Sequence, residues 1–183
     1  MHRIFKKEQI LTIPNLLSVF RLLLIPVIVW LYCIRQKYTL AVGTIVLSGI
    51  TDIADGIIAR KFHMVSDFGK ILDPIADKLT QASVLICLTT RYRMMLVIIA
   101  MFVVKELCMG LLGAVVIKKT DTVNCAKWYG KVNTVVLYVV MMLLIFFQGM
   151  PEIAANLLIM ICGISLTVSF VLYACFYKGV LCK

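Results

Sequence analysis

Long apolar runs broken by short polar connections set the pattern of this chain. Ile153 to Tyr177 passes 25 residues without a charge, and Val132 to Met150 passes 19. Either run is long enough to cross a hydrocarbon core of about 30 Å. The stretches IRQKY, RKFHMVSDF, TTRYR, KKTDTVNCAKW and QGMPE interrupt these runs with charge, glycine or proline, as connections do. They mark off six expected spans, at roughly 16–34, 39–60, 69–89, 94–117, 129–149 and 153–177. A closed barrel would need alternation at every second residue, and none is present. The pattern predicts an all-α integral membrane protein with six transmembrane helices. Ahead of them, Ile4 to Leu11 reads as a short amphipathic surface helix, with Pro14 turning the chain inward.

Composition strengthens this reading. The chain is 62% hydrophobic and only 15% charged, with a mean hydropathy of +1.02, far from soluble domains. Its 183 residues suit a single membrane-embedded domain over 1–183, without repeats or low-complexity tracts. The basic start looks like a signal peptide, but Arg21 interrupts the apolar region and no small-residue cleavage pattern follows. Seven cysteines are scattered with no CxxC pair. They read as small hydrophobic filler rather than a disulfide or zinc framework.

Charge gives the orientation. If the spans alternate, one side carries Arg3, Lys6, Lys7, Arg60, Lys61, Lys70, Lys118, Lys119, Lys127, Lys131, Lys178 and Lys183, twelve in all. The other carries four: Arg35, Lys37, Arg91 and Arg93. The positive-inside bias then puts both termini in the cytoplasm of a multi-pass cell-membrane protein. The net charge of +10 is accounted for by topology and attraction to anionic membrane lipid, with no nucleic acid implied.

Against this background the segment DIADGIIARKFHMVSDFGKILDPIAD, residues 52–77, stands apart, with five of the nine acidic residues. Four aspartates inside spans cost on the order of 10 kcal/mol on insertion scales, so something must compensate. Asp52, Asp55 and Ala59 share one face near the cytoplasmic end of the second span, and Asp73 and Asp77 lie one turn apart on the third. Antiparallel neighbours would aim the two pairs at each other, and converging carboxylates call for a cation or a proton. All-oxygen ligands favour Mg²⁺ or Mn²⁺ over Zn²⁺. His63 and Asp67 read as polar residues of the connection. Gly56, Ala59 and Gly69 leave room for a ligand or for close helix packing. Arg60 could neutralise a phosphate, and Pro74 could bend the third span.

The motif D-G-x₂-A-R-x₈-G-x₃-D-x₃-D is complete here at Asp55, Gly56, Ala59, Arg60, Gly69, Asp73 and Asp77, with Asp52 three residues upstream. It resembles the CDP-alcohol phosphotransferases, membrane enzymes of phospholipid synthesis. The resemblance extends upstream to IPNLLSVFRLLLIP and more loosely to Lys105-Glu106 and GKVNT at 130–134. It implies transfer of a phosphatidyl group from CDP-diacylglycerol to an acceptor alcohol, with release of CMP. By the same resemblance two divalent cations are held by Asp52, Asp55, Asp73 and Asp77, and Asp77 is also the base. Gly56, Ala59, Gly69 and Arg60, with Asn15 and Arg21, are implied at the nucleotide end, in a cytoplasmic active site. Lys105 and Lys131 are implied at the acceptor, and the family suggests a homodimer.

Two acceptors are in view. Phosphatidylglycerophosphate synthases of the family commonly show Arg-Glu in the fourth span and GK-x-KT opening the fifth, where this chain has Lys105-Glu106 and Asn133. A KVNT-like stretch is common in cardiolipin synthases, which use phosphatidylglycerol. Glycerol 3-phosphate is placed first, as the commoner role of short members. From another class, a divalent-cation pathway would also gather intramembrane carboxylates. It should continue across the bilayer, whereas these aspartates cluster at one end.

Overall fold

The computed structural model describes residues 13–61, 67–120 and 128–181, and every described element is helical. Helix α1 runs Ile13–Val29 and widens into a π turn at Trp30–Ile34, followed by α2 at Tyr38–Lys61 and α3 at Asp67–Thr89. Then come α4 at Met95–Thr120, α5 at Trp128–Phe146 and α6 at Glu152–Leu181. The surface helix expected over Ile4 to Leu11, and His63, lie outside the described residues. Asp67, expected in the connection, instead opens α3.

Among the described residues, five helices are long and apolar enough to cross a membrane: Asn15–Ile34, Tyr38–Ile58, Met95–Gly113, Trp128–Phe146 and Glu152–Gly179. The expected sixth span, α3, has 23 residues and the length to cross at 1.5 Å per residue. Its aspartates and lysines dilute its hydropathy. Outward side chains on the five are large and apolar, including Leu23, Ile34, Leu111 and Ile153. In water such surfaces would aggregate, whereas in lipid they are the solvated face.

The chain forms two compact units, residues 1–87 and 88–183. In the first, α1 packs along α2, burying Leu24, Ile28 and Leu31 with Ala41 and Ile45. The π turn closes with Arg35 N–H donating to the Trp30 carbonyl at 3.0 Å, five residues back. Gln36 then takes a left-handed φ of 52°, and Lys37 N–H returns to the Leu31 carbonyl at 3.0 Å. Arg35 lies 4.7 Å over the Trp30 ring, and Tyr32 meets Tyr38 edge-on at 5.3 Å. Aromatic and basic residues at a span end mark the membrane interface.

In the second unit α6 packs against both α4 and α5, around Ile98, Phe102, Leu137, Met141, Leu144, Ile159 and Leu166. Small residues set the closeness of these contacts. A Cβ on Gly163 would stand 3.2 Å from Ile98 Cδ1, and one on Gly130 would collide with the Tyr173 hydroxyl, with its ring carbons at 3.1 Å. Gly130→Ala is therefore expected to cost about 1–3 kcal/mol, the usual range for overpacking. Thermal unfolding in detergent measures this, and wild-type stability would mean that Tyr173 swings aside freely.

Candidate functional site

The acidic site is organised by the first helix. Asn15, Ser18 and Arg21 follow at three-residue intervals, so they form one stripe on α1. All three are buried, at 2%, 0% and 2% exposure. A polar stripe so deeply covered must meet polar partners, since unpaired buried groups are costly. For Ser18 and Arg21 the partners are aspartates. Arg21 Nη2 donates to Asp55 Oδ2 at 2.6 Å. Its Nη1 lies against Asp52 Oδ1 as an ion pair without hydrogen-bond geometry. Ser18 Oγ donates to Asp73 Oδ1.

On α3, Asp77 accepts from Gln81 Nε2 at 3.1 Å, one turn further along. Gln81 is buried, and its Oε1 accepts from Lys78 Nζ at 3.4 Å. Gln81 therefore fixes the rotation of the Asp77 carboxylate, and Lys78 helps hold Gln81. Neither Ser18 nor Gln81 was singled out from the sequence. Ser18 had a visible signal, the N-x-x-S-x-x-R spacing on an otherwise apolar helix. Gln81 had a similar one, i+4 from Asp77.

Asp55 is 3% exposed and Asp52 is 47% exposed on its side chain. Arg21, Asp73 and Asp52 are the charges acting on Asp55. Three carboxylates against one guanidinium leave two negative charges, and Asp77 follows Asp73 one turn along α3. Hard oxygen donors with excess negative charge fit divalent cations such as Mg²⁺ or Mn²⁺. Among the described residues, no three His, Cys, Asp or Glu side chains are drawn close enough to form a ligand cluster on their own. Arg21 supplies the countercharge to Asp52 and Asp55. Gly69 is buried and Gly56 partly so, while the side chains of Ala59 and Arg60 lie outside the described residues.

The two lysines expected at the acceptor belong to the second unit. Lys105 is 6% exposed, and its Nζ donates to Glu106 Oε1 at 2.8 Å, so its charge is partly matched within the pair. Lys131 is exposed on the first turn of α5. The stretch GKVNT thus divides by face. Gly130 lies under Tyr173, and Asn133 is buried, accepting from Ser165 Oγ at 3.2 Å. Both tie α5 to α6, whereas Lys131 and Val132 point outward.

Apolar spanning helices and a buried, arginine-countered carboxylate site together define a helical membrane protein built around anionic chemistry. Comparison with known proteins identifies its family. A family model for CDP-alcohol phosphatidyltransferases matches residues 11–170, and the chain belongs to that family. It is 46% identical over 78 residues to a CDP-diacylglycerol–glycerol-3-phosphate 3-phosphatidyltransferase of Rickettsia typhi, covering 42% of this chain and 44% of that protein. It is 42% identical over 101 residues to a cardiolipin synthase (CMP-forming)/mitochondrial hydrolase fusion protein of Schizosaccharomyces pombe, covering 55% of this chain and 17% of that one. A chloroplastic glycerol-3-phosphate 3-phosphatidyltransferase of Oryza sativa is 36% identical over 122 residues, covering 67% of this chain and 36% of the relative. The matched stretches thus span less than half the length of each of these relatives.

Proposed function

We propose that this protein transfers the phosphatidyl group of CDP-diacylglycerol to glycerol 3-phosphate, giving phosphatidylglycerophosphate and CMP. The observation that carries the proposal is the complete aspartate motif on α2 and α3, countered by Arg21 and Ser18 of α1, in a chain of this family. The acceptor hydroxyl oxygen forms a bond to the lipid-side phosphorus, the bond from that phosphorus to the bridging oxygen breaks, and CMP leaves with the electron pair. Asp77 takes the hydroxyl proton on its carboxylate, which Gln81 orients. Asp52, Asp55, Asp73 and Asp77 would hold two divalent cations, whose chemistry is to offset charge on the attacking and departing oxygens. Gly56, Ala59 and Gly69 would admit the nucleotide, with Arg60 and Asn15 at its polar edge. Membership of a phosphatidyltransferase family replaces the cation-pathway alternative.

The wider reading includes α3 as a sixth span, both units as one catalytic domain, cytoplasmic termini and a homodimer. The family match running through both units supports the single domain, and the twelve-to-four charge asymmetry supports the orientation. Ser66→Cys in a background without other cysteines tests the orientation. It should resist an impermeant maleimide added to intact cells, and strong labelling would invert the topology.

Asn133 favours a second reading, phosphatidylglycerol as acceptor with cardiolipin as product. A neutral residue held by Ser165 stands where a second lysine would serve a phosphate. Purified protein given CDP-diacylglycerol with each acceptor separates the two. Consumption of phosphatidylglycerol alone would replace the glycerol phosphate assignment. For glycerol 3-phosphate, Lys131→Gln should raise the acceptor KM by roughly 10- to 100-fold, as loss of a charge-assisted bond of about 1.5–3 kcal/mol implies. The KM for CDP-diacylglycerol should barely change. Equal loss against both substrates would reduce Lys131 to a headgroup anchor.

A further inference from the structure

Two cysteines that are far apart in sequence lie side by side in the first unit. Cys33 Sγ stands 3.8 Å from Cys87 Sγ. Cys87 is buried, whereas Cys33 is exposed. A disulfide needs the sulfurs at about 2.05 Å, so closure calls for a shift of roughly 2 Å, within reach of side-chain rotation.

The register of the helices supports the pairing independently. Ser18 of α1 bonds Asp73 of α3, and Cys33 meets Cys87 at the other end of the same two helices. The two contacts are 15 residues apart on the first segment, from 18 to 33, and 14 apart on the second, from 73 to 87. The π turn at Trp30–Ile34 accounts for the difference, because a π turn takes up one residue more than an α turn. In an unbroken α-helix Cys33 would stand about 180° from buried Leu24, nine residues earlier. Widening the turn brings it back toward the face of Leu31 and Tyr32, both buried.

We propose that Cys33 and Cys87 form a disulfide on the non-cytoplasmic side of the membrane, tying the end of α1 to the end of α3. The side rests on the orientation proposed above, which puts these helix ends in the compartment where disulfides persist. Exposed Cys33 attacks the sulfur of a thiol–disulfide donor, forming a mixed disulfide and releasing the first donor thiol. Cys87 then attacks Cys33 sulfur and releases the second. Two protein thiols and one donor disulfide become one protein disulfide and two donor thiols, and the two thiol protons go to the departing sulfurs. The bond would hold α1 to α3 opposite the end where Arg21 and Ser18 meet the aspartates.

The test blocks free thiols in intact cells with a permeant maleimide, then digests the full-length protein without reduction. The expected result is a species joining the Cys33 and Cys87 peptides, lighter than their sum by two hydrogen atoms and lost on adding dithiothreitol. Cys33→Ser or Cys87→Ser should remove it and leave the partner alkylated. Recovery of both cysteines as maleimide adducts in the unmutated protein overturns the proposal. Reduction should also shorten the half-time of thermal inactivation several-fold in the unmutated protein and not in either variant. A linked species with no such change would overturn the clamp. Labelling at Ser66→Cys reports orientation separately, so a reduced pair with Ser66 shielded counts against the disulfide alone.

Discussion

Asp77→Asn should lower kcat by about 10²–10⁴-fold, the usual range for losing a positioned general base, while CDP-diacylglycerol still binds. Asparagine keeps the shape and one oxygen, and Gln81 remains beside it to orient the group. What it lacks is a basic oxygen for the acceptor proton. Asp52→Asn and Asp55→Asn should instead raise the divalent-metal concentration needed for activity, because they remove ligand charge. Steady-state kinetics across a metal titration, with donor binding measured by calorimetry, distinguishes the two patterns. A variant at Asp77 that kept more than about a tenth of the wild-type rate, far above a base-loss effect, would show that the proton goes elsewhere.

Arg21→Met is expected to be the most destabilising single substitution in the first unit, by about 3–5 kcal/mol, the range for removing one partner of a buried pair. The effect should come mainly from Asp55. That carboxylate is 3% exposed, whereas Asp52 is 47% exposed and can turn to water or headgroups. Adding Asp55→Asn to Arg21→Met should recover part of the loss, because the unmatched buried charge is gone. Thermal unfolding of the single and double variants in detergent reports this coupling directly. Simple additivity of the two changes would mean that Arg21 and Asp55 do not act as a pair.

Arg21 also shows what the sequence does and does not carry. Hydropathy located the helices closely, because length and apolar content are local properties, and the aspartate motif lies on two consecutive helices. Its spacing revealed which carboxylates share a face. The partner of that face came from α1, which packs along α2, and no local pattern pairs residue 21 with residues 52 and 55. The regular polar stripe at Asn15, Ser18 and Arg21 was the available sign. Asp67 was misplaced by two residues because a helix that starts on a polar turn has no apolar edge to mark it. The cysteine pair was invisible for a different reason. Its register depends on a π turn, and hydrophobic periodicity cannot count one extra residue in a single turn. GKVNT looked like one functional unit, yet the fold divides it between α6-facing Gly130 and Asn133 and outward-facing Lys131.

In the proposed reaction the aspartates of α2 and α3 act with divalent cations on a CDP-linked lipid. The most direct measurement is CMP release by purified protein given CDP-diacylglycerol, with acceptor and metal each supplied or withheld. CMP should appear in step with the phosphatidyl product only when donor, acceptor and Mg²⁺ or Mn²⁺ are all present, and should stop on chelation and return when metal is restored. CMP release that continued at the same rate in excess chelator would rule out a metal-dependent transfer at these aspartates.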